Sequence, residues 1–252
     1  MIRFLFTNAF IVLFSAVFAL YGVFLSLLER KAKIMHFYAT VPWSRTILWV
    51  CGIKIKVNGM ENIIKDKPYI FVSNHMSYFD IFALLAVLPT DFKFILKKEL
   101  MKIPIFGWAV GRAQHISIDR TNPREAIKSM NEAAVRIKNG KSVLIFPEGT
   151  RSDGQLLPFK KGSFQLALKS GCDIIPLAIE NSQNIVPKKS KRIHKGTIYI
   201  QIGHPIPVEG YSKRNLEELV SRTRDTIIEM KNKAMKEESE ETDKSEQAVE
   251  KK

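Results

Sequence analysis

The chain has 252 residues, 46% hydrophobic and 25% charged, enough for one large domain with an appendage and a true core. Net charge is +14; residues 232–252 hold five Lys against seven acidic residues, and removing that −2 leaves +16 on residues 1–231. Two cysteines, Cys51 and Cys172, without a CxxC spacing exclude a disulfide framework or a zinc framework, and the basic excess points to nucleic acid, an anionic membrane surface or a phosphate-bearing substrate.

From Phe4 to Leu28 the chain carries no charge, and Glu29, Arg30, Lys31 and Lys33 follow. As a helix this run reaches roughly 37 Å, longer than a hydrocarbon core of about 30 Å. It is too long for a typical signal-peptide core and lacks a small-residue cleavage site. It is expected to cross the bilayer with its basic flank in the cytoplasm, or to lie within one leaflet; a core helix of a soluble protein is the alternative. Residues 34–52 mix Phe37, Tyr38, Trp43 and Trp49 with His36 and Arg45, a headgroup-region composition. Residues 1–52 are therefore expected to be a membrane-binding helical pair.

After Gly52 the pattern changes. IKIKV (53–57) alternates as an edge or half-buried strand does. PYIFVSN (68–74) reads as a buried strand, and Tyr78 to Leu88 as a helix ended by Pro89. DFKFIL (91–96) is strand-like; Pro104 and Gly107 break any long helix after it. QHISI (114–118) is a strand, and Asn122 to Lys138 a helix with Asn122 as N-cap, Pro123 at N1 and a stop at Asn139-Gly140. SVLIF (142–146) is a buried strand running into a loop. Residues 161–170 are helical, DIIPLAI (173–179) and TIYIQIG (197–203) are strands, and Asn215 to Met230 is an amphipathic helix. Pro176 inside an apolar strand implies an edge, a bulge or a ligand-facing wall. Strands alternating with helices predict an α/β domain over 53–231 with a largely central sheet. Residues 232–252, polar and without apolar periodicity, are expected to be a disordered charged tail.

The sequence has no GxSxG elbow, P-loop, HExxH or GxGxxG. What remains are polar residues at strand ends. His75 and Asp80 stand five apart, about 140° apart on one helix, so they can meet only across a turn. A strand ending near Asn74 and a helix starting near Tyr78 supply that turn. Asp80 would then accept the imidazole Nδ1–H, leaving Nε2 to take a proton from a hydroxyl. The structural alternative is a capping Asp80 and a hydrogen-bonded core His75. FPEGTRS (146–152) follows a buried strand, where sheets deliver ligand loops. There Gly149 allows close backbone approach and Arg151 can grip a phosphate. Glu148, which would repel a phosphate, is expected to fix Arg151 or bond a glycerol hydroxyl. The alternative is a surface turn with a local Glu–Arg pair. Arg120 and Lys97-Lys98 add cations at strand ends. The run KKSKR (188–192) lacks interleaved aromatics and reads as a solvated, membrane-facing loop, not a nucleic-acid site.

In order along residues 70–180, NHMSYFD, GRAQHISIDR, FPEGTRS and IIPLAI resemble the four sequence blocks of the glycerolipid acyltransferase family, most closely its lysophosphatidic acid acyltransferases. His115 and Ser117 in the second block are more polar than that pattern suggests. The resemblance implies transfer of a fatty acyl group from acyl-CoA or acyl carrier protein to the free hydroxyl of lysophosphatidic acid, giving phosphatidic acid. It implies an α/β fold with a central mixed sheet flanked by helices, and a membrane-associated enzyme with its site on the cytoplasmic face, no cofactor, no metal and no nucleic-acid partner. It makes His75 the general base, Asp80 its orienting partner and Lys97 a stabiliser of the thioester oxyanion. Arg120, Glu148, Gly149, Thr150 and Arg151 would form the phosphate and glycerol site. Another acceptor, such as glycerol 3-phosphate or a different lysophospholipid, and a non-catalytic module binding anionic lipid are the competing readings.

Overall fold

The structure, a computed structural model, describes residues 2–29, 32–119, 121–187, 190 and 192–250. Arg120 and most of the basic run 188–192 lie outside the described residues. Helix α1 (Ile2–Leu28) packs one face on the protein through Ile11, Phe14, Ala19 and Val23. The opposite face, with Val12, Val17, Leu20, Phe24 and Leu27, is exposed. Its Phe6–Leu28 portion is long and apolar enough to cross a membrane. The second helix of the expected pair is α2 (Lys33–Met35), a π-helical stretch His36–Thr40 and α3 (Val41–Cys51) in continuation. The π-turn turns His36 into the interior, at 3% exposure. Gly52, in the left-handed region at φ 72°, ends α3 by donating its N–H to Leu48 and Trp49 carbonyls.

Seven strands form one sheet: β1 (Ile53–Asn58), β2 (Ile70–Ser73), β3 (Phe92–Lys97), β4 (Ile116–Ile118), β5 (Ser142–Ile145), β6 (Ile174–Glu180) and β7 (Gly196–Ile202). Their order is β1-β7-β6-β2-β5-β3-β4. All neighbours are parallel except β6 and β7, so β1 and β7 run against the other five. This is the mixed sheet that the resemblance implies, with IKIKV on its edge. Alternation sends Phe71, Phe92 and Leu144 to one face, under α3 and α4 (Phe79–Val87). Ile70, Val72, Val143 and Ile145 go to the other, under α6 (Pro123–Lys138), α7 (Lys161–Ser170) and α9 (Leu216–Glu250). Two short helices, α5 (Phe106–Arg112) and α8 (Ser182–Ile185), complete the chain, with α5 packed beside α1.

Asn122 caps α6 as expected, its side-chain oxygen accepting N–H from Arg124 and Glu125. Of the edge, bulge or ligand-facing wall expected at Pro176, the edge is excluded: the residue lies in an interior strand, where the pairing with β7 takes up one extra residue as a bulge does. The Pro176 carbonyl accepts from Gly203 N–H at 2.9 Å, where the β6–β7 ladder gives way to the isolated bridge Ile174–Ile206. The missing proline N–H therefore falls at an interruption of the ladder. The last helix buries Lys231 and Ala234, beyond the residue 230 at which the amphipathic pattern stops, and its backbone continues to Glu250. The expected tail falls there on residues whose side chains, from 236 on, lie outside the described ones.

Candidate active site

Because β2, β5 and β3 are adjacent and parallel, their C-terminal ends bring His75, the 146–151 loop and Lys97 to one edge of the sheet. His75 Nδ1 lies 2.8 Å from Asp80 Oδ2. That oxygen also accepts the N–H groups of Met76 at 2.7 Å and Ser77 at 2.9 Å. Asp80 is fully buried in the first turn of α4. The two alternatives of the sequence thus coincide: one carboxylate both caps the turn and holds the imidazole. An oxygen already accepting two amides accepts from Nδ1–H, which leaves Nε2 as the basic nitrogen.

His75 is fixed by its backbone as well. Its N–H donates to Glu148 Oε1 at 2.7 Å, and its carbonyl accepts Ser152 N–H at 2.8 Å. The ring stacks on Phe146 with centroids 4.1 Å apart and planes at 19°. Asn74, one residue earlier, exchanges two 2.8 Å hydrogen bonds with the backbone of Ile179 in β6. The side chain of His75 keeps 14% exposure, and His75 lines a cavity of about 510 Å³.

Glu148 corrects a second expectation. It is 3% exposed, and its two oxygens accept from His75 N–H and, at 2.9 Å, Leu157 N–H. It is neither the partner of Arg151 nor part of the cavity wall; burial pushes its carboxyl above the usual range despite those amides. Arg151 stacks on Tyr78 instead, with Cζ 3.7 Å from the ring centre. Gly149, Thr150, Arg151 and Lys97 line the cavity together with His75. Gly149 has φ 73°, in the left-handed region that favours glycine, and the Lys160 side chain lies against it. Lys97 is 55% exposed and 3.6 Å from Glu99. Arg120, expected beside them, lies outside the described residues; its neighbour Asp119 is held down at about 2 by Thr121 hydroxyl and N–H donors.

The rest of the cavity wall is apolar. Phe18 and Ala19 come from α1, Met35, Ala39 and Trp43 from the second helix, Ile81 and Leu85 from α4, and Phe106, Ala109 and Val110 from the α5 region. His115 also lines it; its Nδ1 accepts Phe94 N–H at 3.1 Å, and burial pushes its pKa down to about 3. Beside this wall the buried His36 sits 3.7 Å from Asp91, which also binds Lys93 at 2.6 Å and Lys141 at 3.0 Å. Burial lowers the His36 pKa to about 4. Phe146, Tyr78, Ser152 and Asn74 were not singled out by sequence reasoning. All four flank or lie within the quoted motifs, and proximity to those motifs was the available signal.

The family model described as Acyltransferase matches residues 54–180. The 1-acyl-sn-glycerol-3-phosphate acyltransferase of Saccharomyces cerevisiae is 32% identical over 216 residues, 83% of this chain and 71% of that one. The protein of the same name from Pseudomonas aeruginosa is 36% identical, over 74% of each chain. The chain spans about half the length of a chloroplastic relative from Brassica napus, to which it is 35% identical. The crystal structure of the 1-acyl-sn-glycerophosphate acyltransferase from Thermotoga maritima superposes with a TM-score of 0.72 at 29% identity, covering 89% of this chain and 96% of that one.

Proposed function

Because the chain belongs to the acyltransferase family, we propose that it transfers a fatty acyl group from a thioester, acyl-CoA or acyl carrier protein, to the free hydroxyl of lysophosphatidic acid. The observation that carries this reading is the 2.8 Å Nδ1–Asp80 contact of an imidazole whose edge meets a largely apolar cavity of about 510 Å³. A hydroxyl attacks a thioester poorly until its proton leaves with the attack, which a positioned base accelerates about 10²–10⁴-fold. His75 Nε2 takes that proton, the new C–O bond forms, the C–S bond breaks, and the imidazolium returns the proton to the departing thiolate. Asp80 holds the ring in the tautomer that permits this. Lys97 faces the charge developing on the thioester oxygen. Arg151, held by Tyr78, and Arg120 receive the phosphate, while Gly149 and Thr150 border the glycerol unit. The apolar wall takes the acyl chain, which excludes water from the reacting carbonyl. No cofactor or metal enters these steps.

Membrane association is supported by the exposed face of α1 and by exposed Trp49, Ile103 and Trp108. A site on the cytoplasmic face is supported by the cations that follow α1 in the sequence. Residues 1–52 then serve as the anchor, and the sheet with its helices as the catalytic unit. The test is mass spectrometry of the lipids formed from lysophosphatidic acid with CoA and carrier-protein donors in parallel. Glycerol 3-phosphate and other lysophospholipids are offered as competing acceptors. Phosphatidic acid from the wild type and none from a folded His75→Ala variant are expected. Undiminished product from that variant removes His75 as the base, and preference for another acceptor removes lysophosphatidic acid.

A further inference from the structure

Lys231, on α9, lies beyond the residues that the acyltransferase model matches, yet its ammonium group reaches under the active site. The side chain is buried at 7% exposure. Its Nζ lies 2.9 Å from Glu180 Oε2, donates to the Gly154 carbonyl at 3.0 Å and meets Met76 Sδ at 3.6 Å. Two of the three N–H groups of the ammonium donate, to Gly154 and Met76, and the Glu180 carboxylate balances its charge at ion-pair distance. Glu180 ends β6, Met76 lies just past β2 and Gly154 in the loop after β5, and these three strands are consecutive neighbours in the sheet.

Each contact is one step from the groups that hold His75. Met76 follows His75 and donates its N–H to Asp80. Gly154 belongs to the loop whose Ser152 binds the His75 carbonyl and whose Leu157 binds Glu148. Two turns earlier on α9, Arg224 donates to the Leu156 carbonyl at 3.4 Å, so the same helix grips this loop twice.

Stability alone does not account for the pair. Taking an ammonium and a carboxylate out of water costs several kcal/mol each, and an apolar pair of similar volume is often as stable or more so. What an apolar pair cannot do is draw a backbone carbonyl and a neighbouring loop to one point. We propose that Lys231 is a positioning residue for the acyl transfer. It sets the height of the two loops that carry His75 and its supports, so α9 is part of the catalytic apparatus. The inference rests on His75 acting as the base.

The test compares steady-state kinetics and thermal unfolding of wild type, His75→Ala, Lys231→Met and the double variant Lys231→Met/Glu180→Leu, in detergent with lysophosphatidic acid and acyl-CoA or acyl carrier protein, whichever donor the wild type uses. Misplacing a base by about 1 Å costs on the order of 10²-fold. Lys231→Met is therefore expected to lower kcat about 10- to 100-fold with KM for the acceptor within about twofold. The double variant removes both charges together. It is expected to unfold at or above the wild-type temperature and still keep the low kcat. Recovery of wild-type kcat together with stability in the double variant overturns the proposal, as does wild-type kcat in Lys231→Met. If Lys231→Met does not fold, the double variant decides alone. An active His75→Ala variant instead overturns the role of His75 and leaves the kinetics of the Lys231 variants without that base to position.

Discussion

Glu148 and His75 sit in different motifs, 73 residues apart, and meet at 2.7 Å through a carboxylate oxygen and a backbone N–H. The same carboxylate holds Leu157 N–H with its other oxygen. The third motif thus places the first, and its acidic residue serves the protein rather than the ligand. Glu148→Gln keeps one acceptor oxygen and turns an N–H₂ group toward one of the two amides. That clash leaves a buried donor unpaired, worth about 1–3 kcal/mol. Lower kcat with unchanged acceptor KM is expected in initial-rate kinetics, with a lowered unfolding temperature. A raised KM alone would instead mean that Glu148 touches the acceptor.

Asp80→Asn tests the imidazole directly. The amide oxygen, in the place of Oδ2, can still accept from Met76, Ser77 and Nδ1–H, but the side chain loses the charge that stabilises the imidazolium formed as Nε2 takes the proton. A kcat loss on the order of 10²–10⁴-fold is expected with the fold retained, read from product formation and circular dichroism. Activity within tenfold of wild type would show that the charge of this carboxylate does not stabilise the protonated ring.

Arg151 and Tyr78 form the second testable pair. Lysine in place of Arg151 loses both the fork geometry and the stacking surface. Arg151→Lys is expected to raise acceptor KM about tenfold, and Tyr78→Leu to raise it less, since that stacking is worth about 0.5–1 kcal/mol at an exposed site. Titration of both variants with lysophosphatidic acid and with an acceptor lacking the phosphate separates the roles. Equal losses with both acceptors would remove Arg151 from phosphate binding.

Two histidines, the buried His36 and the half-buried His115, set an acid limit on stability. Burial lowers His36 to about 4 and His115 to about 3, against an ordinary value near 6.5. Between those values the unfolded chain binds more protons than the folded one. Stability therefore falls as pH drops from about 6.5 toward 4, with His115 extending the loss to about 3. At roughly 1.4 kcal/mol per unit, His36 accounts for about 3 kcal/mol. Thermal unfolding followed from pH 7.5 to 4 should show the decline, and His36→Phe should flatten it. An unchanged slope in that variant would place the titration elsewhere.

The meeting of His75 and Asp80 was legible because a five-residue spacing allows contact only across a turn, and strand and helix signals supplied one. The central sheet was legible because apolar runs alternate with helix caps such as Asn122; its mixed character followed from the family resemblance, since alternation alone does not say that β1 and β7 reverse. The destination of the Glu148 carboxylate was not, since nothing local says that Leu157 and His75 will present their N–H groups to it. Lys93 was read as part of a strand and is 2% exposed; its Nζ meets Asp91, two residues away, and only the fold brings Lys141 and His36 to the same carboxylate. Pro176 left an edge, a bulge or a ligand-facing wall open; the sheet order, set by β7 reversing beside β6, removed the edge. Lys231 lay just past the end of an amphipathic pattern, where helix and tail look alike.

Phe18 and Ala19 of α1 stand in the wall of the cavity that holds His75. Trimming the N-terminal helix to obtain a soluble fragment would therefore strip away the lining along with the lipid attachment. Such a truncation leaves the imidazole and its carboxylate in place while opening the site to bulk water, so the preparation that looks best behaved on a sizing column is the one least suited to report on chain-length selectivity.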